Sequence, residues 1–224
     1  MTGGNRGIGR DVARQLAEKG YVVVLGSRDQ KKGEQAAREL DPGGRRIVPC
    51  HLDVTDPDVV RAAAGWIKDR FGRTDVLVNN AAIDYDTDQQ AATADLDRVR
   101  RAMETNLYGA WAMVQALLPL LRNSSHPRIV NVSSESGSVS EMTGGTPAYS
   151  VSKAALNALT RLLAGELGRH RILVNAISPG WTATDMGGGG RAVAEGAASV
   201  VWGVLLPDDG PTGGFFHDGR PLPW

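Results

Sequence analysis

The 224-residue sequence predicts an α/β fold, a doubly wound parallel sheet with helices on both faces, and three observations carry that prediction. Short β-branched runs alternate with segments of helical periodicity along the whole chain. The runs are apolar at almost every position, as strands covered on both faces require. The segments between them are long enough for the crossover connections that parallel neighbours demand, which are almost always right-handed. No repeat, low-complexity tract or linker divides the chain, and its length suits one domain, since single cores reach roughly 250 residues before splitting. The expectation is a single domain over residues 1–224.

Each element follows from local chemistry. After the opening "MTGGNRGIG", the stretch "IGRDVARQLAEKG" places Ile8, Val12, Leu16 and Ala17 on one helical face and stops at Gly20, a good left-handed terminator. "YVVVLGS" reads as a buried strand, "QKKGEQAAREL" as a helix and "RRIVPCHL" as the next strand. Asp56-Pro57, an N-cap followed by proline at the first helical position, launches a helix whose Val59, Val60, Ala63, Ile67 and Phe71 keep helical spacing. "TDVLVNNAA" is a strand, Asp95 to Arg122 a long helix, "RIVNVSS" a strand, Ala148 to Gly168 a helix and "ILVNAIS" a strand. A last helix near Arg191 to Leu206 precedes "GGFFHD", and "GGGG" at 187–190 lies in a loop.

Composition narrows the function. The 25 basic and 25 acidic residues are interspersed, so no electrostatic footprint marks a nucleic-acid or anionic-membrane partner. The longest apolar stretch, Leu107 to Leu121, is interrupted by Gln115 and Pro119 and falls short of the ~18 residues of a membrane span. No basic stretch followed by an apolar one opens the chain. Cys50 stands alone, which excludes an internal disulfide and fits a reducing compartment, so the cytoplasm is expected.

In an α/β sheet, ligands bind beyond the carboxyl ends of the strands, so the strand-to-helix loops carry the chemistry. Gly3, Gly7 and Gly9 would let backbone amides approach a pyrophosphate at a helix N-terminus, although a glycine-rich start can equally be a flexible terminus. A carboxylate at the end of the second strand of a dinucleotide fold prefers NAD, whereas an arginine accepts a 2′-phosphate. This chain has Ser27-Arg28 there, with Arg6 in the glycine loop as a second cation, so NADPH or NADP is expected rather than NAD, even with Asp29 beside Arg28.

Tyr149 and Lys153 in "AYSVSK" are four residues apart and share a helical face. A phenol of pKa near 10 is a poor acid-base catalyst at neutral pH. A lysine cation ~5 Å away, at an effective dielectric near 20, favours the phenolate by about 3 kcal/mol, roughly two pKa units. Ser134, ending the preceding strand, could polarise a carbonyl oxygen, and Asn106 in "ETNLYG" could orient a water that relays a proton through Lys153. Taken singly, each of these residues reads equally well as a surface or turn residue.

Other constellations fail. "DYDTD" at 84–88 imitates a calcium loop but has Gln89 at the glycine position, and is expected to be a solvated rim near the mouth of the site. His51, His126, His170 and His217 show no metal-ligand spacing, Cys50 has no partner for zinc, and no GxSxG elbow is present. Trp66, Trp111, Trp202 and Trp224 read as packing residues.

"TGGNRGIG", "LDV" with Asp53, "NNAA" at 79–82, "TNLYG", "NVSS", "YSVSK" and "NAISPGWTATDM" stand in the order and approximate spacing of the short-chain dehydrogenase/reductase family, which this chain resembles from Thr2 to its end. "SPGWTATDMGG", "EGAASVVWGVLLPDDGPTGGFF" and the final "PW" resemble its NADPH-dependent carbonyl reductase branch. The resemblance implies a Rossmann-type fold and a tetrad of Asn106, Ser134, Tyr149 and Lys153, with Tyr149 as proton donor, Lys153 as its electrostatic partner and ribose ligand, and Ser134 rather than Ser133 as carbonyl clamp. It also implies cofactor contacts from Gly3, Asn5, Arg6, Gly7, Ile8, Gly9, Arg28, Asp53, Val54, Asn80 and Ala81, with Asp53 at the adenine. Pro179, Gly180, Thr182 and Thr184 would flank the nicotinamide.

The implied activity is hydride transfer between a nicotinamide and an aldehyde or ketone, or the corresponding alcohol. The alternatives are a non-catalytic NADP-binding sensor and a dehydratase or epimerase on the same fold. The long helices at 95–122 and 148–168 would either pair in a homodimer or homotetramer or stay solvated.

Two departures from the pattern carry expectations. Ala82 replaces the usual glycine and is tolerated unless that position needs a positive φ. The fold's first strand does not precede the glycine loop, and its buried aliphatic side chains would be worth about 5–10 kcal/mol, comparable to a whole domain's stability. The expectation is that the start codon lies upstream of Met1 or that the chain has been shortened.

Overall fold

The glycine-rich opening runs directly into a helix because Val12, Ala13 and Leu16 bury one face of it, and Gly20, at φ 93°, ends it. In the computed structural model, which describes Met1 to Trp224, this is α1 (Gly7–Glu18). It is followed by β1 (Val23–Ser27), α2 (Gln30–Leu40), β2 (Ile47–His51), α3 (Pro57–Phe71) and β3 (Val76–Asn79). Then come α4 (Leu96–Met103), a π-helical turn (Glu104–Gly109), α5 (Ala110–Leu121), β4 (Arg128–Val132) and α6 (Pro147–Leu167). The chain closes with β5 (Leu173–Ser178), α7 (Val193–Val204), β6 (Phe215–His217) and β7 (Arg220–Pro221). Asp56 caps α3 by accepting from the Asp58 and Val59 amides, and Gly72 ends it in the left-handed region.

The strands pair parallel in the orders β1-β2 and β3-β4-β5-β6, and β7 adds an antiparallel hairpin to β6 that the sequence pattern does not announce. Between β1 and β3 run Met1 and Thr2. The Met1 amino group donates to the Val24 carbonyl at 2.7 Å, the Gly26 amide to the Met1 carbonyl at 2.9 Å, and the Thr2 amide to the Val78 carbonyl at 3.0 Å. These bonds tie the two parts of the sheet together just ahead of the glycine loop.

Because successive strand residues face opposite sides, the sheet has two cores. Val78, Val130, Val132 and Ile177 face α1, α2 and α7, while Leu77, Ile129 and Val174 face α3, α5 and α6. The second face also holds a buried polar ladder, in which Asn79 Nδ2 donates to Asn131 Oδ1 at 2.9 Å and Asn131 Nδ2 to Thr160 Oγ1 at 2.9 Å. The helix expected over 95–122 is continuous but passes through the π turn, and Asn106 lies in it. No helix is long and apolar enough to cross a membrane.

Candidate active site

The carboxyl ends of β1, β3, β4 and β5 open onto one cavity of about 410 Å³, and the glycine loop forms its floor. Thr2 and Asn80 fasten that loop to the end of β3. The Thr2 hydroxyl accepts from the Asn80 and Ala81 amides, and Asn80 Nδ2 donates to the Thr2 and Gly3 carbonyls at 3.0 and 2.9 Å. Gly9 admits no side chain, since a Cβ there would collide with the Gly3 carbonyl and Asn80 Nδ2. Gly3 has φ 65°, which favours glycine. Ala82 is not among the residues with positive φ, so the substitution in "NNAA" is accommodated.

The loop fits an anion. Arg6, the N-cap residue of α1, makes no side-chain cap bond, and no acidic residue occupies the first turn, so the helix N-terminus faces the cavity uncapped by its own chain. Asn5, Gly7 and Ile8 line the same floor. At one end stand Arg28 and Lys32, a cation that sequence reading missed although it lies only four residues beyond Arg28 on the first turn of α2. Asp29 is the N-cap of α2, accepting from the Lys32 amide at 3.1 Å; it lines the cavity as well, with its other oxygen 3.7 Å from Lys32 Nζ. Arg6 lines the cavity together with Arg28, and its guanidinium donates to Asp185 at 3.1 Å. With 66% and 79% of the two side chains exposed, that pair is weak.

Asp53 and Val54 line the wall next to Arg28. Burial pushes the Asp53 carboxyl up, but hydrogen bonds from the Thr55 amide and hydroxyl, with Arg28 nearby, outweigh it and hold the group below its usual value. Ala81, Pro179 and Thr184 also line the cavity, whereas Gly180 and Thr182 do not. The Thr182 hydroxyl is buried and donates to the Pro179 and Gly180 carbonyls, so it shapes the turn instead of facing the cavity. Gly180, at φ 68°, packs against the His217 ring, where a Cβ would stand 2.6 Å from Cε1.

Tyr149 and Lys153 project from the first turns of α6 into the cavity. Lys153 is 2% exposed; its Nζ donates to the Val132 carbonyl at 2.7 Å and lies 5.5 Å from the Tyr149 ring centroid. Burial pulls the ammonium down to about 8. Burial also pushes the Tyr149 phenol up to about 12, with the neighbouring Ser134 hydroxyl pulling the other way. Desolvation therefore dominates at the phenol, and the lowering expected from Lys153 is not seen. Ser133 is buried and lines the cavity, but its hydroxyl donates to Asn157 Oδ1 at 2.6 Å, whereas it is the Ser134 hydroxyl that acts on the phenol.

The Asn106 side chain is bonded to the protein: Oδ1 accepts from the Ile83 amide at 2.8 Å, and Nδ2 donates to the Ile83 carbonyl and to Ser152 Oγ. In this way it clamps the loop after β3. One expectation is corrected here: that loop is not a solvated rim throughout, because Asp86 is 0% exposed. Its carboxylate accepts from the Ala148 and Tyr149 amides at 2.9 and 3.0 Å, while Tyr85 packs edge-on against the Tyr149 ring at 5.2 Å. No sequence signal pointed to Asp86, because Thr146-Pro147 looks like a self-sufficient helix start.

Comparison with known proteins sets this geometry among relatives. The short chain dehydrogenase family profile matches residues 1–193. The chain is 34% identical to (+)-neomenthol dehydrogenase of Capsicum annuum, over 97% of this chain and 94% of that protein. It is 32% identical to carbonyl reductase (NADPH) 1 of Mus musculus, over 100% and 97%. Its structure superposes on the NADPH-bound carbonyl reductase from chicken fatty liver with a TM-score of 0.89 at 28% identity, covering 100% of this chain and 97% of that one.

Proposed function

This chain belongs to the short-chain dehydrogenase/reductase family, and from that premise we propose that it is an NADPH-dependent oxidoreductase acting on aldehydes or ketones and the corresponding alcohols. The observation that carries the reading is the phenol of Tyr149, flanked by Ser134 and Lys153, at one end of a cavity whose floor is an uncapped, glycine-lined helix N-terminus. A sensor would have no need of an acid at that place.

A nicotinamide cofactor held there would supply the hydride that reduces a carbonyl carbon. The residues of the chain do the rest. Tyr149 holds the proton that the carbonyl oxygen takes, Ser134 donates a hydrogen bond to that oxygen, and Lys153 stabilises negative charge at the phenol. The glycine loop and the amides at the start of α1 would hold the pyrophosphate, Arg28 and Lys32 the 2′-phosphate, and Asp53 with Val54 the adenine. Pro179 and Thr184, which line the cavity, would border the nicotinamide, while Asn106, Gly180 and Thr182 shape the surrounding loops. In this reading residues 1–224 act as one domain.

Tyr85, Val139, Met142 and Trp181 are exposed around the loops at 84–94, 135–147 and 182–195, which favours an apolar carbonyl substrate. Leu96, Tyr108, Trp111, Val151 and Leu162 are exposed on the helices between 95 and 167, which supports pairing of these helices between subunits. The lone thiol of Cys50 keeps the cytoplasm as the expected compartment. The test is consumption of NADPH, and of NADH for comparison, with a panel of aldehydes and ketones. Turnover with NADPH supports the reading, and absence of turnover with every carbonyl contradicts it.

A further inference from the structure

The helix that carries Tyr149 and Lys153 does not cap itself. Thr146, the residue before its first turn, is left-handed at φ 43° and makes no cap bond, and its hydroxyl pairs with Ser150 Oγ at 2.9 Å. Pro147 has no amide to satisfy, so the first amides needing a partner are those of Ala148 and Tyr149. Both are taken by Asp86, fully buried and 62 and 63 residues earlier in the chain. The Tyr149 carbonyl is held as well, by Ser152 Oγ at 2.7 Å, and that hydroxyl accepts from Asn106 Nδ2 at 2.9 Å.

The loop that delivers Asp86 is itself held at both flanks. Asn106 grips Ile83 on both its amide and its carbonyl. Arg98 binds Asp84 with Nε at 2.8 and 2.7 Å and Asp88 with Nη1 at 2.9 and 2.8 Å. Asp84 is left-handed at φ 70°, a conformation that a non-glycine residue keeps only where its surroundings impose it.

We propose that Asp86 is a positioning residue for the proton donor: its buried carboxylate fixes the peptide of Tyr149 from the loop after β3, so that the phenol keeps its place beside Ser134. The inference rests on the oxidoreductase reading for its consequence in turnover, but its structural half stands without it. Asp86 touches neither substrate nor cofactor in this account. It acts through Tyr149.

The test compares the full-length wild type with Asp86→Asn and Asp86→Ala in three measurements below the melting temperature. These are amide hydrogen exchange at Ala148 and Tyr149, NADPH affinity by fluorescence, and kcat with a carbonyl substrate. In Asp86→Ala, exchange at the two amides rises by about tenfold or more. Its kcat falls by about tenfold to a hundredfold while NADPH affinity stays within about threefold. Asp86→Asn, which keeps one acceptor, recovers part of both losses. Unchanged exchange overturns the proposal, and so does faster exchange with unchanged kcat, which would make Asp86 a structural cap only. If the alanine variant does not fold, the asparagine variant is judged by the same two outcomes. If the wild type reduces no carbonyl, the oxidoreductase reading falls, and exchange alone decides whether Asp86 fixes Tyr149.

Discussion

Lys153 Nζ lies 5.5 Å from the centroid of the Tyr149 ring, one helical turn away, and donates to the Val132 carbonyl rather than to the phenol. Burial acts on both groups and in opposite directions. It pulls the ammonium to about 8 and pushes the phenol to about 12, so both are held toward their neutral forms.

Stability therefore depends on pH in a definite sense. Between about pH 8 and pH 10.5 the folded protein leaves Lys153 neutral while the unfolded chain protonates it, so the unfolded state binds more protons and stability rises with pH. Above pH 10 the Tyr149 phenol reverses the trend, because the unfolded chain ionises first. Unfolding free energies from urea titrations across this range should rise from pH 8 toward 10, by up to about 3 kcal/mol. Lys153→Met should flatten the rise, and a wild type with a flat profile would show that the ammonium is not desolvated.

The two adjacent serines separate function from support. Ser133→Ala leaves Asn157 Oδ1 buried without its donor and should cost about 1–3 kcal/mol of stability in a denaturant melt. Ser134→Ala should barely move the melt but lower kcat by about a hundredfold to a thousandfold, the loss typical of an oxyanion donor. The opposite pattern would exchange their roles.

Strands and helices were legible because their signals are local: the β-branched runs at 23–27 and 128–132, the Asp56-Pro57 cap and the glycine ends at 20 and 72 all act within a few residues. The hairpin of β6 and β7 was not, since β7 is two exposed residues whose pairing is set by Phe216 and His217 across a turn. The site divides the same way. Tyr149 and Lys153 are visible as a helical pair, and Arg28 follows from its place at a strand end. Asp86 reaches its partners from 62 residues away, and Asn106 turns into the Ile83 loop because a π turn places it there. No short-range pattern encodes either contact. The phenol's environment is hidden for a related reason: sequence spacing gives the distance to Lys153 but not the desolvation that dominates at the phenol.

Cofactor choice should follow the cations at the end of β1. Arg28→Ala should raise the KM for NADPH by about tenfold or more, leaving that for NADH nearly unchanged, since only the phosphate contact is lost. Lys32→Ala should act in the same direction. Equal losses for both nucleotides would move the 2′-phosphate elsewhere.

The cradle has no room for a methyl group at Gly9, where the Gly3 carbonyl and Asn80 Nδ2 already meet the backbone. Gly9→Ala should lower the melting temperature through about 1–3 kcal/mol of overpacking and abolish nucleotide fluorescence enhancement. An alanine variant that binds NADPH normally would contradict the fit of this loop to a pyrophosphate.

The most direct measurement is carbonyl-dependent NADPH consumption by Tyr149→Phe, with nucleotide affinity measured on the same preparation. Removing one hydroxyl should lower turnover by about a hundredfold to ten-thousandfold and leave the affinity within about threefold of wild type. Turnover that survives at wild-type levels would contradict the assignment of Tyr149 as proton donor.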